Sequence, residues 1–296
     1  WNGVVNHFPF AQQQGVFQAG VSIQEAELVF DSEWPALSKL NVDLLFENEG
    51  LAMHSQQGEL LGVNLIKMNA SIPTLSEGAV LTIDAQASAT GQQVTELMQQ
   101  SNIADSLGAA LNQVQISKQL TTKLNLHIPL NGEGLVASGS AILDNNDIYI
   151  PSLDLSFKQA KGNVSFVNDQ VKFEGLQATL LEQAVSIDFS GKQVLQTYQS
   201  AISLKGNWQL QPLLETYHPG FKDYLSGDSD FQADIQLNLP GEGYNYSATI
   251  SSSLDNVESY LPAPFAKLSS ESLPFLLTSN GNQQITQPDR YAGADD

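Results

Sequence analysis

The 296-residue chain has no cysteine, a single arginine (Arg290), four histidines and three methionines. Without cysteine there is no disulfide frame, thiolate zinc site or thiol nucleophile, and pairing says nothing about redox compartment. Twelve basic residues stand against 32 acidic ones, for a formal net charge of −20. Nucleic acids are excluded as partners, because backbone neutralisation and base reading both need clustered Lys and Arg. A polybasic membrane-surface patch is excluded on the same ground. No apolar run approaches the ~18 residues of a membrane span. The chain opens at Trp1 with neither an initiator Met nor a charged and apolar leader, which predicts an internal slice of a longer protein.

Enzyme signatures are equally scarce. His7, His54, His127 and His218 are far apart and lack the i, i+4 or HxH spacing of a metal pair. There is no Gly-x-Ser-x-Gly elbow and no phosphate-cradling Gly-rich loop ending in Lys-Ser/Thr. Asp228-Ser229-Asp230 and Asp144-Asn145-Asn146-Asp147 resemble pieces of a calcium loop but lack its Gly and distal Glu. These read as solvated turns. The expectation is a protein that is not an enzyme, with no catalytic residues, no metal and no cofactor.

What the chain has in quantity is alternation. From Ser229 to Leu239, Phe231, Ala233, Ile235, Leu237 and Leu239 point one way while Asp230, Gln232, Asp234, Gln236 and Asn238 point the other. This is a strand with one apolar and one wet face. Similar runs occur at Phe17–Ile23, Ala26–Phe30, Leu40–Phe46, Leu61–Leu65, Ala79–Ala85 and Leu124–Ile128, then at Leu153–Phe157, Val164–Phe166, Val171–Phe173, Val185–Phe189 and Tyr244–Ile250. Turn-forming clusters such as Asn48-Glu49-Gly50 separate them, as in antiparallel hairpins. Two stretches are helical instead. Gln92–Val114 carries Val94, Leu97, Met98, Leu107 and Leu111, with an interruption near Ser101-Asn102; Gln209–Leu225 carries Leu210, Leu213, Leu214 and Tyr217 at i, i+3, i+4 and i+7.

The two helices hold equivalent places in an internal repeat. Leu124-Asn125-Leu126-His127-Ile128-Pro129 reads like Ile235-Gln236-Leu237-Asn238-Leu239-Pro240, and Gly132-Glu133-Gly134 like Gly241-Glu242-Gly243. Upstream, each copy has a helical segment ending near Leu107-Gly108 or Leu225-Ser226-Gly227. These matches predict a first β-rich repeat over 1–118, a second over 119–228, each ending in a helical segment, and the start of a third over 229–296. Alternation leaves two uses for the apolar face open. It is either closed against a second sheet as a pair of β-sandwiches, or only partly covered by protein and able to hold something apolar.

Phe8-Pro9-Phe10, Gly15-Val16-Phe17-Gln18-Ala19, Phe30-Asp31-Ser32-Glu33-Trp34-Pro35-Ala36-Leu37, Leu44-Leu45-Phe46-Glu47-Asn48, Leu126-His127-Ile128-Pro129-Leu130 and Tyr260-Leu261-Pro262-Ala263-Pro264-Phe265-Ala266-Lys267 resemble, in order, the large bacterial YhdP proteins, relatives of AsmA and TamB. The resemblance implies a mainly β fold: a long antiparallel sheet curled into an open groove, with two short helical segments. It also implies a periplasmic location within a parent anchored in the inner membrane. The function implied is a lipid-transport bridge, with phospholipids and, through the parent, both membranes as partners. The family has no catalytic residues to carry over. On this reading the groove is lined by Leu124, Leu126, Ile128, Val185, Ile187, Phe189, Phe231, Ala233, Ile235, Leu237 and Leu239. The alternative of a different class is a β-rich structural or adhesive module with a closed core.

Overall fold

The computed structural model describes residues 1–10, 15–30, 32–101, 104, 108, 111, 114–132, 134–151, 154–240, 243–282 and, for their backbone, 286–291. Twenty strands account for most of it: β1 Asn2–Gly3, β2 Gly15–Val16, β3 Gln18–Leu28, β4 Leu37–Glu47, β5 Gly50–Leu60, β6 Val63–Ile72, β7 Val80–Thr90, β8 Gln115–Ile116, β9 Gln119–Pro129 and β10 Val136–Ile150, followed by β11 Leu155–Val167, β12 Gln170–Leu180, β13 Gln183–Val194, β14 Thr197–Gln209, β15 Leu225–Ser226, β16 Asp228–Pro240, β17 Asn245–Ser252, β18 Glu258–Ser259, β19 Phe275–Asn282 and β20 Thr286–Tyr291. Among the described residues, the helices α1 Gly91–Gln99 and α2 Leu210–Tyr217 interrupt them, and Ala104, Gly108 and Leu111 are also helical.

Sixteen strands form one antiparallel sheet in the order β20-β19-β17-β16-β14-β13-β12-β11-β10-β9-β7-β6-β5-β4-β3, with β8 beside β10. The ends of this order do not meet, so the sheet is open. The other two ladders, β1-β2 and β15-β18, have two strands each, so the described residues hold no second sheet of comparable size. That replaces the sandwich pair with one large sheet. The chain divides into two compact units, Trp1–Leu143 with Val164–Asp169, and Asp144–Asn163 with Gln170–Asp296.

The element order recurs every seven strands, with β3 to β10 answering to β10 to β17 and α1 to α2. Local contacts recur with it. In the β4-β5 turn Asn48, at φ 50°, donates its backbone N–H to the Phe17 carbonyl at 3.0 Å, and its side-chain oxygen accepts the Phe17 N–H at 2.9 Å. In the β11-β12 turn Asn168, also at φ 50°, makes the same reciprocal pair with Ala137, at 2.7 and 2.9 Å. Asn tolerates the left-handed region, and its amide satisfies a backbone group that would otherwise lack a partner.

Each helix starts directly at the end of a strand. Thr90 caps α1 in a capping box with Gln93, whose amide also reaches the Gly62 carbonyl at 2.8 Å. The entry to α2 is held by Gln183, which accepts the Gln209 N–H at 2.6 Å and donates to the Gln209 carbonyl at 3.0 Å. The α1 helix stops at Gln99, where the interruption near Ser101-Asn102 is expected; Ala104, Gly108 and Leu111 beyond it are helical, and Leu107 lies outside the described residues. The second helix is shorter than the periodicity suggests. The α2 helix stops at Tyr217 before a 3₁₀ turn at Pro219–Phe221, because proline withholds its N–H from a continuing helix. Leu225-Ser226, read as a helix end, is a strand paired with Glu258-Ser259, and Tyr217, placed on the apolar stripe by spacing, is exposed. Lys267 is buried, and its ammonium donates to the Val257 and Leu268 carbonyls at 2.8 and 3.1 Å, which ties down the segment after β18.

Glycines on the apolar face make room for the large side chains of neighbouring strands. A Cβ on Gly139 would fall on the Lys123 carbonyl and within 2.8 Å of the Phe166 ring; on Gly206 it would meet the Phe231 ring at 2.8 Å. Gly20 has nothing within 4 Å of a Cβ. Gly139→Ala is therefore expected to lower the unfolding free energy by about 1–3 kcal/mol, while Gly20→Ala leaves it nearly unchanged, as measured by denaturant titration. Thr90→Ala should cost about 1 kcal/mol through the lost cap, read in the same assay.

Candidate apolar lipid-facing surface

Residues directly opposite each other on paired strands share a face, so the ladder registers show which side chains lie together. In the first unit one row runs Val21, Leu44, Met53, Ala70, Ile83, Leu126, Ala137 across β3, β4, β5, β6, β7, β9 and β10. The next row runs Ile23, Val42, Ser55, Met68, Ala85, Leu124, Gly139. Two of the three β9 residues expected to line a groove, Leu124 and Leu126, thus sit in continuous apolar rows. Ile128 follows by alternation and belongs to the same packed cluster. Leu126 and Ile128 are buried, Leu124 is half-buried, and at the outer strand β3 Val21 and Ile23 are exposed.

In the second unit one row runs Phe173, Phe189, Ile202, Ile235, Ala248, Ser279 and the next Leu176, Ile187, Leu204, Ala233, Ile250, Leu277. Val185 shares the face of Ile187 and Phe189 by alternation, opposite Ala178. On β16, Phe231, Leu237 and Leu239 stand opposite Gly206, Ser200 and Tyr198. The β13 and β16 residues named from the sequence therefore do meet on one face, and β14, which was not recognised as a strand, bridges them. Val185, Ile187 and Ala233 are buried, whereas Phe189, Phe231, Ile235, Leu237 and Leu239 are half-buried. A cavity of about 930 Å³ opens beside Gly206, Phe231, Ser252 and Phe275.

The opposite face is mostly polar, with Leu45 and Val136 among its exposed side chains. Asp43, His54, Asn69, Asp84 and Asn125 form one cross-strand row, in which His54 bonds Asn69 at 2.9 Å and Asn125 donates to Asp84 at 2.5 Å. Among the described residues no group of three or more His, Asp or Glu is placed to hold a metal ion. The resolved pKa changes belong to exposed groups. The Glu59 carboxylate, bonded at 2.7 Å, raises the Lys39 ammonium above its ordinary value, and Glu174 does the same to Lys172. No described helix is long and apolar enough to cross a membrane.

An open antiparallel sheet with an apolar face in each unit, and no second sheet of comparable size among the described residues, defines a single-layered β protein whose apolar side is finished by its own side chains or by a ligand. The YhdP family model, described as "YhdP protein", matches residues 1–293, and the chain belongs to that family. A curated relative from Escherichia coli strain K12, "Intermembrane phospholipid transporter YhdP", is 35% identical over 290 residues. The alignment covers 97% of this chain but 23% of the relative. No solved structure matches the chain.

The two degrees of burial separate side chains held by protein from those left partly open. Ile187→Ala should cost about 2–4 kcal/mol. Ile235→Ala, half-buried, should cost less than half as much in the same denaturant titration.

Proposed function

We propose that this chain is a segment of a periplasmic lipid-transport bridge whose apolar face holds phospholipid acyl chains and passes them between the inner and outer membranes as part of a longer, inner-membrane-anchored parent. The observation that carries the reading is the run of apolar rows from strand to strand in each unit, with no second sheet of comparable size among the described residues to cover them. The relative's description as an intermembrane phospholipid transporter supports it. Covering apolar surface is worth about 25 cal/mol per Å² whether the cover is protein or an acyl chain, so lipid can stand in for a missing layer. Movement along the face needs similar, weak sites in succession, which repeated aliphatic rows supply.

The lining is proposed as Leu124, Leu126 and Ile128 in the first unit, and as Val185, Ile187, Phe189, Phe231, Ala233, Ile235, Leu237 and Leu239 in the second. The organisation proposed is two repeats, 1–118 and 119–228, with the start of a third over 229–296. The role requires no catalytic step and no cofactor, and with one arginine in the chain, phosphate headgroups stay in water rather than in a bidentate clamp.

A photo-crosslinking side chain at position 235 should capture phospholipid from cells, while one at 236, on the exposed polar face, should not. Leu237→Asp should abolish co-purifying lipid in a protein that still folds by circular dichroism. Lipid-free protein at both positions, by mass spectrometry of the organic extract, would overturn the reading.

A further inference from the structure

The apolar faces of the two units differ in a way that neither burial nor overall composition reveals. In the first unit the central rows carry one hydroxyl, on Ser55, which is buried and donates to the Gln57 carbonyl at 2.8 Å, and the row one step along carries one more, on Thr122, which donates to the Ala87 carbonyl at 3.3 Å. In the second unit the aliphatic rows through Ala233 and Ile235 are followed, one step along the strands, by the row Gly191, Ser200, Leu237, Tyr246, Gly281. Tyr198 lies beyond it, opposite Leu239. Ser279, opposite Ala248, bonds the Tyr246 hydroxyl at 3.2 Å. Tyr198, Ser200, Tyr246 and Ser279 thus form a belt of hydroxyls along one side of an aliphatic band.

The belt has an accessible part and an inaccessible part. Tyr198 and Ser200 are buried, while Tyr246 and Ser279 are half-buried on the face left open to a ligand. Their mutual bond is long for a hydroxyl pair, which ordinarily closes to about 2.7–2.8 Å. Each hydroxyl can donate one proton and accept others, so the pair can reorganise to donate to an incoming carbonyl. A hydrocarbon chain offers no acceptor; the first acceptors met on leaving the chains of a phospholipid are its ester carbonyls.

We infer that Tyr246 and Ser279 hydrogen-bond the ester carbonyls of a diacyl lipid whose chains lie on the adjoining Ala233 and Ile235 rows. The second unit then fixes the depth and direction in which a lipid lies, and the first unit's central rows hold chains without registering where they end. This rests on the acyl-chain reading above and adds to it the part of the lipid that is recognised.

The test uses the whole chain and three probes: diphenylhexatriene, which has no acceptor, and two phosphatidylglycerols of equal chain length, one diester and one diether. Diphenylhexatriene should fluoresce on binding, and the diester should displace it at about three- to ten-fold lower concentration than the diether, the range expected for one hydrogen bond. In the Tyr246→Phe, Ser279→Ala double variant diphenylhexatriene should bind as before and the two lipids should become equal. Equal displacement by the two lipids on the unaltered protein, or a preference that survives in the double variant, overturns the inference while leaving the groove intact. Failure of diphenylhexatriene and both lipids to bind the unaltered protein overturns the acyl-chain reading on which it rests.

Discussion

A one-layered sheet must find something to cover its apolar side, and that constraint governs the rest of this molecule. In a two-layered protein the facing sheet supplies the dispersion contacts and excludes water. Here the two remaining ladders have two strands each, far too few to do so. The buried residues, from Leu40 through Ile83 to Leu126 in the first unit, form a cluster assembled from successive strands of the sheet itself. Size alternation makes this possible. Glycine at 139 and 206 lets a ring from the adjoining strand lie over the backbone, so the layer is thickened from within.

The polar side is under a different constraint. A sheet whose wet face were indifferent to register could slip by a residue and turn its apolar rows outward. Specific side-chain pairs oppose this. His54 with Asn69 and Asn207 with Asp230 join adjacent strands on the exposed face. The Asn48 and Asn168 turns fix where each hairpin begins relative to the strand beside it. Individually such contacts are worth little at a surface. Their contribution is to the choice among pairings more than to the depth of the minimum.

Much of this could be read from the amino acids, and the exceptions have physical causes. Residues 231–239 alternate without a fault, and their ladder with β14 runs without a register shift. The β14 strand was invisible because Ser200 and Gly206 occupy its apolar-side positions among Tyr198, Ile202 and Leu204, which breaks the hydrophobic period exactly where Phe231 needs space. The β5 strand was hidden by Ser55 and by the register shifts between β4 and β5 near Asn41 and Val42, since an extra residue reverses the parity on which alternation depends. The recurring order of elements was legible in the strand ending at Pro129 and its counterpart ending at Pro240. Its turns were not, because Asn48 and Asn168 act through backbone geometry that no pairwise match of letters conveys. Gathering β13 and β16 onto one face required knowing that a strand lay between them.

The linear strand order also has a mechanical meaning. Among the described residues, a pull applied between β3 and β20 passes through every ladder in turn, as through the links of a chain, with the covalent connections between strands alongside. Such an arrangement is only as strong as its weakest junction. The register shifts between β3 and β4, β4 and β5, β6 and β7, and β12 and β13 interrupt otherwise regular hydrogen bonding. Among the ladders whose register is described, those junctions are where a stretched sheet would yield first.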